Sequence, residues 1–278
     1  MKKKNPDDIW KEIVKSHNKD QQLIDDLHLA ITENIESSKM ATILKYVKLL
    51  TQADKSVRIL DYGCGGGQLL TYLRFLGYKN LTGIDVKNEE KVTQLNAMHD
   101  NMGFGTGVFF NYEGISLPFE DASFDVIISQ QVLEHVHNVE NYLLEAKRVL
   151  SHDGGMLLDF PHRLVPFDTH TRMWFVHYLP PTVRTVIYNR YRNNKASLYS
   201  SFLHLHTIWY YKKLLKNMSF SIADMTEDRI GGFLYREHYE GSLGFRLFLD
   251  GLMKTPFFGR IFKKTLSLFS IATLIVKK

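Results

Sequence analysis

Apolar positions over the first 50 residues recur at helical spacing. From Ser38 to Leu50, the residues Ala41, Leu44, Val47 and Leu50 stand three apart and share one face, which predicts a helix. At Val57 the period shortens. The run VRILDY is short, branched at Cβ and bounded by glycines, as suits a strand buried on both faces of a parallel sheet. Helical spacing returns over Leu69 to Leu76, closed by Gly77 as a C-cap candidate. The alternation then repeats. Strands are predicted at LTGIDV (81–86), GVFFNY (107–112), FDVIIS (124–129) and MLLDF (156–160), with helices over Glu89 to His99 and Val139 to Leu150 and a turn at Gly154 and Gly155. Strands alternating with helices imply right-handed crossovers and a parallel sheet covered on both faces, so the fold class is α/β.

The rhythm breaks after Phe160. Residues 161–206 hold four prolines and many aromatics and histidines without a clear period. A helix resumes near Thr207, a strand-like FSIADM follows, and a final apolar run, IATLIV, ends the pattern. The expected organisation is an N-terminal helical segment (1–50), a cofactor-binding core (51–160), a substrate-side insert (161–206), a core helix with the sixth strand (207–230), a second insert (231–268) and a last strand (269–278). Structureless loops of this length in a compact domain are usually functional, so both inserts are expected to shape the substrate side.

Composition narrows the classes. With 278 residues, 44% hydrophobic and 13% aromatic, the chain can bury a sizeable core, which excludes whole-chain disorder. A single cysteine, Cys64, excludes a disulfide framework and a cysteine-based zinc site. The longest uncharged stretch near the C-terminus, Thr265 to Val276, has 12 residues, too few to span a bilayer, and MKKKNPDDIW lacks the apolar run of a signal peptide, so a cytoplasmic location is expected. Charge is unevenly placed. Residues 184–216 carry seven Lys and Arg and no Asp or Glu, and residues 241–278 carry seven against one. These blocks read either as solvated basic faces or as the approach for an anionic partner.

The sharpest chemical signal is LDYGCGGG, Leu60 to Gly67, at a strand-to-helix junction. Gly63 and Gly65 permit a tight turn with positive φ and a close ligand approach, and the helix start offers free amides. Asp85, at the end of the second strand and 18 residues after Gly67, is placed to accept both hydroxyls of a ribose, or else to cap a helix. Together with the glycine turn, ribose binding is the stronger reading.

At this point LDYGCGGG, GIDV, LPFEDASFDVIISQQVLEHV and RVLSHDGG together resemble a class I S-adenosylmethionine-dependent methyltransferase, most closely over residues 40–160. The resemblance implies a Rossmann-like, mostly parallel seven-stranded sheet with helices on both faces, inserts after strands five and six, and an antiparallel final hairpin from FSIADM and IATLIV. It implies S-adenosyl-L-methionine as cofactor. Asp61, Gly63 and Gly65 would lie along its methionine part, with Asp61 near the ammonium group. Asp85 would hold the ribose and Val86 would pack on adenine. Glu113, where such sequences often carry Asp, would accept from the adenine amine beside the amide of Gly114. Ser129 and Gln130 would line the methyl-donor side. Cys64 is read as a packing residue, and Glu134 and His135 as structural or cofactor-shell residues.

The acceptor side falls to the inserts. Between Phe160 and Pro181 the chain places His162, Asp168, His170 and His177 within 16 residues. A hydroxyl acceptor benefits from a base near neutral pKa, and His170 with Asp168 as its orienting carboxylate is the catalytic candidate. No further acidic cluster accompanies them, so no metal is expected. The segment also resembles one found in methyltransferases encoded with bacterial glycan-assembly enzymes. That resemblance implies O-methylation of a sugar hydroxyl on a glycan or a lipid- or phosphate-linked sugar, with Tyr188, Tyr191, Tyr199, Trp209, Tyr210 and Tyr211 available for stacking. The alternatives are a quinone-like or other apolar small molecule, and a cofactor-binding module without catalysis. Nucleic acid is disfavoured, since SQQV stands after the fourth strand in place of an N-P-P-Y-type motif. The basic, aromatic block at 241–278 is expected either to contact an anionic membrane surface peripherally or to cover the sheet.

Overall fold

A computed structural model describes residues 5–16, 20–86, 89–168, 173–191, 203–234, 251, 255 and 258–278. Three helices come first: α1 (Pro6–Lys15), α2 (Gln21–Asn34) and α3 (Ala41–Leu50). Asn5 caps α1 by accepting from the Asp7 amide, with Pro6 in the first turn where its missing N–H costs nothing, and Asp20 caps α2. Five strands follow with their crossovers: β1 (Arg58–Tyr62), α4 (Gln68–Phe75), β2 (Asn80–Asp85), α5 (Glu89–Asn101), β3 (Phe109–Asn111), β4 (Phe124–Gln130), α6 (Val139–Val149) and β5 (Leu150–Phe160). The short pair β6 (Phe167–Asp168) and β7 (Met173–Trp174) and helix α7 (Pro181–Tyr191) precede α8 (Ile208–Asn217), β8 (Ser221–Asp224), α9 (Thr226–Leu234), α10 (Phe258–Ser267) and β9 (Ala272–Lys277).

The main sheet has seven strands in the order β3-β2-β1-β4-β5-β9-β8. The first five are parallel, and β9 runs antiparallel to both β5 and β8. Order reverses between β1 and β4, the switch point at whose carboxyl ends ligands bind in open α/β sheets. Alternation along each strand divides the core between the two faces. Ile59, Leu81, Val126, Ile128, Leu157 and Ile275 point to the side of α1 to α5. Leu60, Ile84, Ile127, Leu158, Leu274 and Val276 point to the side of α6 and α8. Each such buried side chain contributes about 1.5–3 kcal/mol, and there are enough of them to hold both layers to the sheet.

The α/β class, the mostly parallel seven-stranded sheet and the antiparallel hairpin from FSIADM and IATLIV are all present. Gly77 ends α4 as expected. At φ +91 it lets its own amide reach the Arg74 carbonyl and the Tyr78 amide the Leu73 carbonyl, the paired bonds of a Schellman cap.

Three local expectations change. Gly154 and Gly155 do not make a turn before the fifth strand; they lie within β5, where the register against β4 jumps from Phe124–Leu150 to Val126–Gly155. Gly155 is needed there because a Cβ would meet Leu50 of α3 at 2.6 Å. Residues 161–206 are not wholly irregular, since Pro181 opens α7. The boundary expected at 230 falls inside α9. In the 241–278 block, α10 leans on α9 and β9 is a sheet strand, while Phe245, Leu247, Phe248, Leu252 and Phe257 lie outside the described residues. Among the described residues no helix is long and apolar enough to cross a membrane.

Candidate active site

The glycine turn is built by backbone geometry. β1 ends at Tyr62, and the Gly63 and Cys64 amides both donate to the Ile84 carbonyl at the end of β2, at 2.8 and 3.1 Å. Gly63, Gly65 and Gly67 have φ of +96, +52 and +77, a region that side chains oppose. Around Gly63 and Gly67 the space is also closed, since a Cβ would lie 2.3 Å from Val132 Cγ2 and 2.8 Å from Phe109 Cζ respectively. Gly65 and Gly66 differ: a Cβ there would meet nothing within 4 Å, so their backbone faces open space. Cys64 is buried in the core, as a packing residue is. A cavity of about 550 Å³ opens beside this loop, between Trp10 and Val14 of α1, Gly65 and Gly66, and Lys91 and Leu95 of α5.

Two carboxylates flank the turn. Asp85 accepts the Gly65 amide at 2.7 Å, so the ribose candidate already grips the glycine loop. Asp61 is 3% exposed, and burial, aided by the charge of Asp85, pushes its carboxyl up to about 7. An ammonium group beside it would relieve that penalty. Val86 is 63% exposed at the end of β2, and Gly114, at φ +80, would bring a Cβ within 3.4 Å of its Cγ1. An exposed valine facing a glycine leaves a flat apolar slot at the mouth of β2 and β3. Glu113 is exposed at the rim of this slot. The fit to S-adenosylmethionine is therefore good at four points: an amide turn with open space above it, a ribose acid, an apolar slot, and a desolvated carboxyl suited to a cation.

Ser129 joins a buried chain of hydroxyls. Its hydroxyl is 1% exposed and 2.8 Å from the Tyr142 hydroxyl, which donates on to the Tyr62 carbonyl at 3.0 Å while its ring stacks on Tyr62 at 3.9 Å. The side chain anchors β4 to α6. Gln130 is half-buried at the end of β4, paired in register with Asp159. The next residue, Gln131, has φ +55 and donates its amide to the Asp159 carbonyl at 2.7 Å, bending the chain sharply at the strand end.

The residues expected to serve the acceptor lie in and beside the segment that follows β5. Asp168 is buried and 3.7 Å from His177 Nε2, so the structure pairs this carboxylate with His177. His170 lies outside the described residues, as does Tyr199 and the side chains of Tyr188 and Tyr191. His162 is buried, accepts the Leu164 amide, and burial lowers it to about 4, which fits a neutral structural imidazole. His135 is exposed, 4.0 Å from the buried carboxylate of Glu134. Tyr211 is fully buried against Phe160 and belongs to the core, whereas Trp209 and Tyr210 are exposed and Tyr210 stacks on His206. Among the described residues no three His, Cys, Asp or Glu side chains are placed to hold a metal ion.

Two features here carry little sequence signal. Asp159, 1% exposed at the end of β5, accepts from Arg229 of α9 and from Thr273 Oγ1 of β9, tying the insert to the sheet. A cleft of about 310 Å³ is lined by His137, Arg163, His177, Arg184, His204 and His206, with Leu203 and Leu205. Only the density of histidine in the insert hinted at the second, and the partners of Asp159 could not be found without the strand register.

This fold and this pair of strand-end acids define a class I nucleotide-cofactor domain of the methyltransferase type. Residues 60–158 match the family described as "Methyltransferase domain". A ubiquinone biosynthesis O-methyltransferase of Rickettsia bellii (strain OSU 85-389) is 30% identical over 140 residues, which cover 50% of this chain and 56% of that protein. A 27-O-demethylrifamycin SV methyltransferase of Amycolatopsis mediterranei (strain S699) is 31% identical over 102 residues, 36% of this chain and 37% of that one. The chain thus spans about half the length, or less, of these curated relatives. In fold it is similar to the crystal structure of an S-adenosylmethionine dependent methyltransferase from Mesorhizobium loti, with a TM-score of 0.55 and 16% identity over 87% of this chain and 98% of that one.

Proposed function

We propose that this chain is an S-adenosylmethionine-dependent O-methyltransferase whose acceptor is a sugar hydroxyl on a glycan. The cofactor binds along Gly63, Gly65 and Asp61, with its ribose on Asp85 and its adenine against Val86, Gly114 and Glu113, near the mouth of β4 at Gln130. Bound there, it supplies an electrophilic methyl group on a sulfonium. The protein's part is to hold the acceptor oxygen in line with that methyl and to receive the hydroxyl proton. The observation that carries the polar acceptor is the cleft at the ends of β4 and β5, where six of the eight lining residues are His or Arg. A quinone-like acceptor is the second reading, favoured by the ubiquinone biosynthesis O-methyltransferases among the relatives, whose similarity is confined to part of each chain. Turnover of glycan oligosaccharides but not of hydroquinones in a methyl-transfer assay separates the two.

Asp85→Ala is expected to weaken cofactor binding about 10- to 100-fold, the 1–3 kcal/mol scale of a charge-assisted hydrogen-bond pair, and to release the Gly65 amide as well. Calorimetric titration with S-adenosylhomocysteine measures it, and an unchanged affinity removes Asp85 from the site. For the proton, the sequence nominates His170 with Asp168, and the geometry adds His177 beside the same carboxylate. Loss of the true base is expected to lower kcat about 100-fold with cofactor affinity preserved. Comparing His170→Ala with His177→Ala assigns it; near-normal turnover in both across pH 6–9 means that positioning alone drives the transfer.

A further inference from the structure

We propose that the cleft between the end of β5 and helix α7 is an anion subsite, and that it holds a phosphate or diphosphate group carried by the acceptor. The inference rests on the methyltransferase reading for calling its ligand an acceptor. Its cations come from separate elements: Arg163 stands three residues beyond β5, and Arg184 lies in the first turns of α7. Folding therefore brings two arginines to one cleft, and among the described residues that line it there is no Asp or Glu. Two like charges without an acid between them are unfavourable in a half-enclosed space unless an anion joins them.

The donor geometry points the same way. Arg184 Nε is buried and has no hydrogen-bond partner among the described residues, a state in which buried donors of folded proteins seldom remain. Guanidinium forks match phosphoryl oxygens in geometry as well as charge. His137 and His204 meet edge to face at 4.8 Å on the opposite wall. Burial and the neighbouring imidazole hold His204 below its ordinary range, and burial with His204 does the same to His206, so both are neutral at pH 7 and present a ring N–H without adding repulsion. His177 forms the floor, backed by Asp168. The cleft is also fixed to the reaction side of the sheet. The Arg163 amide donates to the His206 carbonyl at 2.9 Å, and the His204 amide to the Glu134 carbonyl, in the loop after β4, at 2.7 Å. A phosphoryl group seated here puts whatever it carries beside the carboxyl ends of β4 and β5. The four histidines do not form a metal site, since no metal-ligating trio is found among the described residues.

The test uses the whole chain and three probes: inorganic pyrophosphate by calorimetry, vesicles of phosphatidic acid in phosphatidylcholine by sedimentation, and S-adenosylhomocysteine as the control. Pyrophosphate is expected to bind, and Arg163→Ala with Arg184→Ala together to weaken it at least tenfold, with cofactor affinity unchanged. Arg184→Lys, which keeps charge but not the fork, is expected to fall between. Phosphatidic acid vesicles that sediment the wild type but not the double variant support the subsite and identify a lipid-borne phosphate; pyrophosphate binding alone identifies a soluble one. If neither probe binds while S-adenosylhomocysteine does, the subsite is refuted and the methyltransferase reading stands. Binding of pyrophosphate that is equal in wild type and double variant also refutes it. Loss of S-adenosylhomocysteine binding by the wild-type protein would instead overturn the reading on which the inference rests.

Discussion

Gly63→Ala is expected to reduce cofactor affinity at least 100-fold, about 3 kcal/mol, and to destabilise the cofactor-free protein as well. Two costs coincide at this position. The backbone has φ +96, and a Cβ would lie 2.3, 3.0 and 3.2 Å from three atoms of Val132. Valine has no long flexible arm to swing aside, and Val132 itself packs against the buried layer of α6 and α8. Either the glycine turn or the loop after β4 must move. Gly65→Ala is the control. It has φ +52 but no atom within 4 Å, so it carries only the backbone strain of about 1–2 kcal/mol without the clash, and its stability is expected to fall less than that of Gly63→Ala. Thermal unfolding with and without S-adenosylhomocysteine distinguishes them. Equal melting temperatures for wild type and Gly63→Ala would mean that the turn adapts and does not define the site.

The second large effect is on pH. Burial and the charge of Asp85 raise the Asp61 carboxyl to about 7, so in the cofactor-free protein it holds a proton near and below neutrality. A cofactor ammonium favours the carboxylate, so binding must expel that proton. Affinity is therefore expected to fall by up to about tenfold for each unit below pH 7 and to level off above it. The stability of the cofactor-free protein runs the opposite way with pH. A folded pKa raised above the unfolded value of 3.8 gives stability that is complete below that value and lost as pH rises through about 7, roughly 4 kcal/mol in all for a shift of this size. Cofactor thus stabilises the protein more at pH 8 than at pH 6. Calorimetry at pH 6 in two buffers of different ionisation enthalpy should show about one proton released, and Asp61→Asn should abolish both the release and the slope. A flat affinity from pH 5.5 to 8 would place the ammonium elsewhere.

Much of the fold was legible because its signals are local. A two-face buried strand reads as an unbroken apolar run, and the helices between strands carry one apolar stripe each, so VRILDY, FDVIIS and IATLIV could be placed almost to the residue. The cofactor half of the site was legible for the same reason: a glycine turn and the acid at the next strand end need no tertiary knowledge. Helix α7 was not. Val183 and Val186 are exposed, so the helix shows no stripe, and only Pro181 at its start marked it. The bond of Ser129 to Tyr142 carried no sequence signal, because it depends on how α6 packs on β4. The acceptor side was hidden most deeply. Arg163, Arg184 and His204 each stand about twenty residues apart, and their convergence depends on how the insert at 161–206 folds over the sheet.

The position of β9 bears on how the chain is made. Residues 272–277 lie between β5 and β8, pairing with both in the antiparallel sense. During synthesis, everything up to β8 has emerged before the strand that must separate β5 from β8 exists. Until then β5 presents an unpaired edge of buried, apolar residues, Met156 to Phe160, the kind of edge that invites pairing with another chain. Completing the sheet therefore follows the emergence of β8, and Thr273 must clear the ribosome before it can meet Asp159. A ribosome stalled between β8 and β9 would hold a domain whose glycine turn is assembled but whose sheet remains open to aggregation.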